Sequence, residues 1–237
     1  MSDSTVTLER RGATAVLKLD DGKANALSPA VIDAVHAALD RAADAKALVI
    51  TGRPGKFCAG FDLRVMLSGP DAARDLVGRG ARLLARIYLY PRPVVLACTG
   101  HALAGGALLL TTGDTRIGAS GPFKIGLNEI QAGIPLPAFG VALVRDRLAP
   151  AALTRATLHA RIHSPEEAAA VGFLDRVTSP EAVLDEALAE AERLGSFSAR
   201  PFAQTKERLR GPTVASFLAD LDADLLALLP PRPAPPG

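Results

Sequence analysis

The stretch that most constrains the fold is residues 94–110, VVLACTGHALAGGALLL, which joins an apolar strand pattern to closely spaced glycines. Residues 94–98 predict a short buried strand, and a tight turn leads into an apolar helix that begins at Gly105. The first N–H groups of a helix are unpaired and lie at the positive end of its dipole, so this turn can hold an anionic oxygen. The alternative is close helix packing with no ligand.

Strand and helix patterns alternate through the first half of the chain. A hairpin is predicted over residues 5–9 and 13–19, and a helix runs from Pro29, with Ser28 as its N-cap, to about residue 44. The remaining predicted elements are strands over residues 47–51 and 115–119, a helix over 70–90 and a short extended piece over 123–126.

The second half has almost only helix signals. A capping box begins at Ser164, and Ser179 gives another helix start, while Pro201 and Pro212 are predicted to separate the last helices. The sequence therefore predicts an α/β core followed by an α-helical C-terminal part.

Composition excludes several function classes. The chain has 237 residues, of which 49% are hydrophobic and 4% aromatic, with a formal charge of +2. A large core is expected, and the absence of a basic run argues against nucleic acid as a partner. Cys58 and Cys98 are expected to be reduced thiols, and neither a targeting segment nor a membrane span is predicted. We expect a cytoplasmic protein with a disordered proline-rich tail.

A second glycine turn lies at residues 57–63, FCAGFDL. If both turns follow parallel strands, their free N–H groups meet at one edge of the sheet, where ligands usually bind. Two convergent backbone donors form an oxyanion hole, in which each donor contributes about 10²–10³ to a rate.

Glu129 is the candidate acid/base residue. Its neighbours Ile125, Leu127 and Ile130 predict partial desolvation, which favours the neutral carboxyl and suits proton transfer near pH 7. The alternative is a surface or capping glutamate. His101 could contact a ligand, although a single histidine in such a turn is more often structural, and no histidine spacing suggests a metal site.

Five motifs in order resemble the crotonase superfamily, also called the enoyl-CoA hydratase/isomerase family. They are KANALS at 23–28, FCAGFDL at 57–63, GHALAGG with GDTR at 100–116, IGLNEIQAGIP at 125–135 and SPEEAAAVGFLDRV at 164–177. The resemblance implies a ClpP/crotonase-like α/β spiral of ββα turns over residues 1–195. It also implies a helical trimerisation region over 196–229, ahead of the tail at 230–237.

The resemblance also implies the substrate and the site. Acyl-CoA thioesters would bind with their carbonyl oxygen at the N–H groups of Phe61 and Gly105, and Lys206 would meet the CoA phosphates. No metal or redox cofactor is expected, since CoA enters with the substrate, and the expected assembly is a homotrimer or a dimer of trimers. The residues expected along the CoA are Lys23, Ala24, Ala26, Ala59 and Leu63.

The acid/base pattern indicates an activity within the family. Family hydratases usually carry two glutamates, and here Leu108 occupies the first position while Glu129 occupies the second. A single carboxylate favours a Δ3,Δ2-enoyl-CoA isomerase, the group that the Glu129 motif resembles most. Leu108, Pro135 and Phe139 are expected to shape the acyl pocket. The alternatives are an enoyl-CoA hydratase and a non-catalytic acyl-CoA-binding protein.

Overall fold

A computed structural model describes residues 5–230, which form two sheets surrounded by helices. The six-stranded sheet has the order β1-β2-β3-β5-β7-β9, and the three-stranded sheet has the order β4-β6-β8. The strands are β1 Val6–Arg11, β2 Thr14–Leu19, β3 Ala47–Thr51, β4 Gly55–Cys58, β5 Val94–Cys98, β6 Gly100–Leu103, β7 Thr115–Ala119, β8 Ile125–Gly126 and β9 Arg176–Thr178.

The helices cover both faces of the larger sheet. They are α1 Pro29–Arg41, α2 Leu63–Leu67, α3 Pro70–Tyr88, α4 Gly105–Thr111, α5 Ala138–Arg147, α6 Leu153–Ala156, α7 Pro165–Val171, α8 Val183–Gly195, α9 Ala199–Ala219 and α10 Leu221–Leu228. Short 3-10 turns lie at Ile130–Ala132 and Pro150–Ala152. No helix within the described range is long and apolar enough to cross a membrane.

Burial on both faces explains the apolar character of the central strands. Every residue of β3 and β5 is buried, as is usual for parallel strands covered by helices. The residues of α8 pack on one face, against Val49, Val95 and Ala97, while α1 and α3 contribute to the larger cluster on the other face. The sheet therefore lies between two helical layers.

The chain advances in repeated steps from the larger sheet to the smaller one. Strands β3, β5 and β7 are parallel neighbours in the first sheet, and β4, β6 and β8, which follow them, are parallel neighbours in the second. Helices α2 and α3 follow the first pair of strands, and α4 follows the second pair. This arrangement confirms the predicted spiral of ββα turns.

Three predictions about elements are wrong. Strands β4 and β6 occupy segments that were predicted as loop and turn, because their short glycine-containing sequences become strands only by pairing with each other. Strand β9 lies in the half predicted to be helical, where it completes the larger sheet beside β7. Helix α9 continues through Pro212, since buried Arg210 and Val214 hold it on both sides.

Several boundaries also differ from the prediction. Helix α1 ends at Arg41 and α3 at Tyr88, each a few residues earlier than expected. Helix α8 begins at Val183 without a cap from Ser179. By contrast, the Ser28 cap and the Ser164 capping box are both confirmed. Of the tail predicted at 230–237, residues 231–237 lie outside the described range.

Candidate active site

The two glycine turns lie side by side because the strands before them are paired. Strand β4 pairs in parallel with β6, so the turn after Cys58 and the turn after Leu103 leave the same edge of the smaller sheet. A Cβ on Gly60 would lie 3.0 Å from the backbone nitrogen of Gly105. Gly60 also has φ of 93°, which favours glycine. The expectation that both turns meet at one sheet edge is correct, although the strands involved are β4 and β6.

Two backbone N–H groups remain free where these turns meet. The flanking groups of the Phe61 turn pair with Leu27: the Leu27 N–H donates to Gly60 O at 2.8 Å, and the Asp62 N–H donates to Leu27 O at 3.2 Å. This parallel bridge directs the Phe61 N–H away from Leu27. Gly105 is the first residue of α4. Within residues 5–230, no acceptor pairs with the N–H of Phe61 or Gly105. Both N–H groups are therefore free to donate to an incoming acceptor.

Ala104 holds the second turn in an uncommon conformation. Its φ is 49°, which non-glycine residues rarely adopt, and its N–H donates to Gly126 O at 3.0 Å. A methyl group on the neighbouring Gly106 would lie 2.0 Å from Cys58 O. The start of α4 therefore requires close backbone contact with both β4 and β8.

Glu129 follows β8 and is a partly buried residue whose carboxyl group faces away from bulk solvent at one oxygen. Since β8 pairs with β6 and Ala104 bonds to Gly126, the loop that carries Glu129 is fixed beside the start of α4. The Oε2 atom of Glu129 is buried without a hydrogen-bond partner. Burial raises the pKa of Glu129 from 4.5 to about 7. A carboxyl group of this kind can accept and return a proton near neutral pH.

The segments expected along the CoA meet at the Phe61 turn. The Ala59 N–H donates to Ala24 O at 3.0 Å, which joins residues 23–28 to the end of β4. Lys23, Ala59 and Leu63 are exposed, while Ala24 and Ala26 are partly buried. The hydrogen bond places residues 23–26 beside Ala59, and Leu63 begins α2 directly after the turn, while the contact of these residues with CoA stays a prediction.

Asn25 is a residue of this region that the sequence analysis missed. Its side-chain amide donates to Leu19 O at 2.9 Å, Lys56 O at 3.1 Å and Phe57 O at 3.2 Å, and its φ is 54°. These bonds hold residues 23–28 against β2 and β4. The available sequence signal was an asparagine between two alanines in a loop, because asparagine tolerates positive φ better than most residues.

Comparison with known proteins establishes the family. The model of a family described as "Enoyl-CoA hydratase/isomerase" matches residues 9–226. The chain belongs to the enoyl-CoA hydratase/isomerase family. Together with the ββα spiral, this match confirms the crotonase resemblance, and members of this superfamily act on acyl-CoA thioesters.

Relatives in this family carry both hydratase and isomerase names. The chain is 33% identical to a putative enoyl-CoA hydratase of Thermus thermophilus, covering 84% of this chain and 81% of the relative. It is 30% identical to human mitochondrial enoyl-CoA delta isomerase 1, and the match covers 89% of this chain and 72% of the relative. The solved structure of an enoyl-CoA hydratase/isomerase family protein from Pseudomonas syringae is 41% identical in sequence, with a TM-score of 0.92. The match covers 95% of this chain and 98% of that protein.

The three residues expected to form the acyl pocket have different environments in the structure. Pro135 lines a cavity of about 820 Å³ beside α5 and α6, together with Ile134 and Leu136. Leu108 is buried in α4, and Phe139 is buried in α5 with its ring packed against Phe217. Leu108 and Phe139 therefore lie in the core where α5 packs against α4 and α9, and their contact with an acyl chain stays a prediction.

His101 has a structural set of contacts. Its Nδ1 accepts a hydrogen bond from the Lys124 N–H at 3.0 Å, and its ring packs edge-on against Phe123. Burial, aided by Lys56 and Lys124, lowers the pKa of His101. A neutral imidazole that accepts at Nδ1 carries its proton on Nε2, so Nδ1 is not free to act as a second base.

Lys206 does not lie where the family resemblance placed it. Its ammonium donates to Asp114 Oδ2 at 2.6 Å, Tyr90 O at 2.8 Å and Arg92 O at 2.9 Å. Asp114 also accepts from the Val94 N–H, at the amino-terminal end of β5. The glycine turns instead follow the carboxyl ends of β4 and β6, and β6 begins after the carboxyl end of β5. The expected contact with CoA phosphates is wrong for this geometry, because all three ammonium protons already have acceptors.

The two cysteines are buried and unreactive. Burial raises the pKa of the Cys58 and Cys98 thiols to about 12 in each case. Since the thiolate is the nucleophilic form, neither cysteine is a candidate for covalent catalysis.

Proposed function

We propose that the protein is a Δ3,Δ2-enoyl-CoA isomerase that uses Glu129 as its single acid/base group. Glu129 carries this proposal: among the carboxylates of residues 5–230, it has the one buried oxygen without a hydrogen-bond partner. A buried acceptor that lacks a partner costs free energy, so this oxygen is suited to a bound substrate. The pKa near 7 suits both removal and return of a proton.

The reaction needs one proton acceptor and an oxyanion hole. The thioester oxygen would accept hydrogen bonds from the N–H groups of Phe61 and Gly105. Ionised Glu129 would take a proton from C2, and the electron pair would move onto the thioester oxygen as a dienolate. The same carboxyl would then return the proton to C4 as the double bond forms between C2 and C3. Each backbone donor is expected to contribute about 10²–10³ to the rate.

Leu108 favours isomerisation over hydration. Hydration requires one group to activate water and a group to protonate C2, which family hydratases achieve with two glutamates. Here the first position is the buried side chain of Leu108, which cannot exchange a proton. Similarity to the human delta isomerase supports the same assignment. No metal or redox cofactor enters this proposal, since CoA arrives as part of the substrate.

A paired assay tests the isomerase proposal. Purified protein is given 3-hexenoyl-CoA or 2-hexenoyl-CoA, with Glu129→Gln beside the wild type and the exposed Glu166→Gln as a matched control. Wild type and the control should convert the 3-enoyl substrate, and Glu129→Gln should lose at least about 10²-fold in rate. Hydration as the main activity would contradict the proposal. Equal turnover by Glu129→Gln would favour a different base.

A further inference from the structure

The ring of Phe61 fills the space between the start of α4 and the middle of α3. A Cβ on Gly80, in α3, would lie 2.1 Å from Cε1 and 2.5 Å from Cζ of this ring. A Cβ on Gly105 would lie 3.3 Å from Cδ2 and 3.3 Å from Cε2. The two glycines therefore face opposite edges of one rigid aromatic ring, and a side chain at either position would displace it.

This contact reaches both oxyanion donors. Phe61 and Gly105 supply the two free N–H groups, and the ring of the first residue rests against the backbone of the second. If the ring is pushed away from α3, it moves either toward Gly105 or with its own backbone. Either movement changes the separation of the two N–H groups, and a displacement of about 1 Å can cost about 10²-fold in rate.

Glycine at position 80 is costly for a helix, so its presence suggests a local requirement. Glycine lowers the stability of a helix interior relative to alanine. Gly80 lies inside α3, Pro70–Tyr88, and is buried. Gly78 provides a comparison within the same helix, because a Cβ there would meet only Arg82 Nη1 at 3.1 Å and Leu225 Cδ1 at 3.3 Å. Gly80, unlike Gly78, faces the ring of an oxyanion residue.

We propose that Gly80 is a positioning residue for the oxyanion hole, which it sets by seating the Phe61 ring against α3. The ring acts as a spacer that fixes the Phe61 and Gly105 N–H groups relative to each other. This inference rests on the proposed oxyanion chemistry and adds to it a residue of α3 that touches no substrate.

Steady-state kinetics with 3-hexenoyl-CoA test this role. Gly80→Ala should lower kcat by about 10–100-fold while KM changes by less than about threefold, because the interaction lost is made mainly in the transition state. Gly78→Ala should keep the wild-type kcat. Equal effects of the two substitutions, or a change in KM alone, would overturn the proposal.

A rescue experiment separates positioning from folding. Phe61→Leu keeps the backbone N–H but removes the ring, so alone it should also lower kcat. Combining it with Gly80→Ala places a methyl group in the space that the ring vacates. The double variant should therefore be faster than either single variant. Failure of this rescue would contradict the spacer role, and the result for Phe61→Leu stands even if Gly80→Ala does not fold.

Infrared spectroscopy of a bound unreactive thioester gives a readout that needs no turnover. The carbonyl stretch of hexanoyl-CoA labelled with ¹³C at C1 should shift to lower frequency in wild type and Gly78→Ala, and less in Gly80→Ala. An unchanged shift in Gly80→Ala would overturn its role and leave the isomerase proposal intact. Polarisation without isomerase turnover would reject the isomerase while keeping the role of Gly80. No shift in wild type would reject both.

Discussion

At the scale of single residues, the ionisation of Glu129 determines the pH range in which the site can remove a proton. Only the ionised carboxylate can remove a proton, and burial raises its pKa from 4.5 to about 7. The ionised fraction therefore increases as pH rises through 7. We expect kcat/KM for 3-hexenoyl-CoA to rise between pH 5 and 9 with a midpoint near 7. A midpoint near 4.5 would contradict the buried environment of this carboxyl.

The local sequence was sufficient to predict the environment of some site residues but not of others. Gly60 and Gly105 could be predicted as turns because a glycine pattern is itself local, and the apolar neighbours of Glu129 indicated its burial. Lys206 could not be placed in this way. Its partner Asp114 lies 92 residues earlier in the chain, so only the tertiary structure brings the two together.

At the scale of elements, the ion cluster around Asp114 fixes helix α9 to the larger sheet. Asp114 accepts from Lys206 Nζ and forms a salt bridge with Arg210 Nη1 at 2.9 Å, and all three side chains are largely buried. Burial lowers the pKa of Lys206 to about 8, although Asp114 opposes this shift. Loss of Lys206 leaves Asp114 paired with Arg210 but removes the donor to two backbone carbonyls, and buried carbonyls without a donor are destabilising.

Substitution of Lys206 tests this anchoring role. Lys206→Met should lower the free energy of unfolding by about 3 kcal/mol in urea denaturation, because the carbonyls of Tyr90 and Arg92 lose their donor. The exposed Lys124→Met is the control and should change it by less than about 0.5 kcal/mol. Unchanged stability of Lys206→Met with weaker CoA binding would instead support the role that the family resemblance gave this lysine.

Element prediction succeeded where the pattern was strong within a single segment. Ala47–Thr51 and Val94–Cys98 are apolar runs of strand length, and both are strands with the expected bounds. Strand β6 carries two small residues in four positions and becomes a strand through pairing with β4 and β8. Such pairing is non-local, so a pattern read along the chain cannot report it.

At the scale of the whole molecule, the spiral explains why the site is built from distant segments. Strands β4, β6 and β8 come from successive steps of the chain, and their ends bring together Phe61, Gly105 and the loop of Glu129. Motif order along the sequence predicted this fold, because three of the five motifs contain the turns that follow β4, β6 and β8. The separation of the turns could not be predicted, since it depends on contacts such as that between Gly80 and Phe61.

The most direct test of the single-carboxylate account follows one hydrogen through the reaction. 3-Hexenoyl-CoA carrying deuterium at C2 is converted in ordinary water, and the product is analysed by mass spectrometry and NMR. Because Glu129 Oε2 is buried from solvent, we predict that part of the deuterium removed from C2 appears at C4 of the 2-enoyl product. A 3-hydroxyacyl product, or the same deuterium transfer at the wild-type rate in Glu129→Gln, would contradict proton transfer by Glu129 alone.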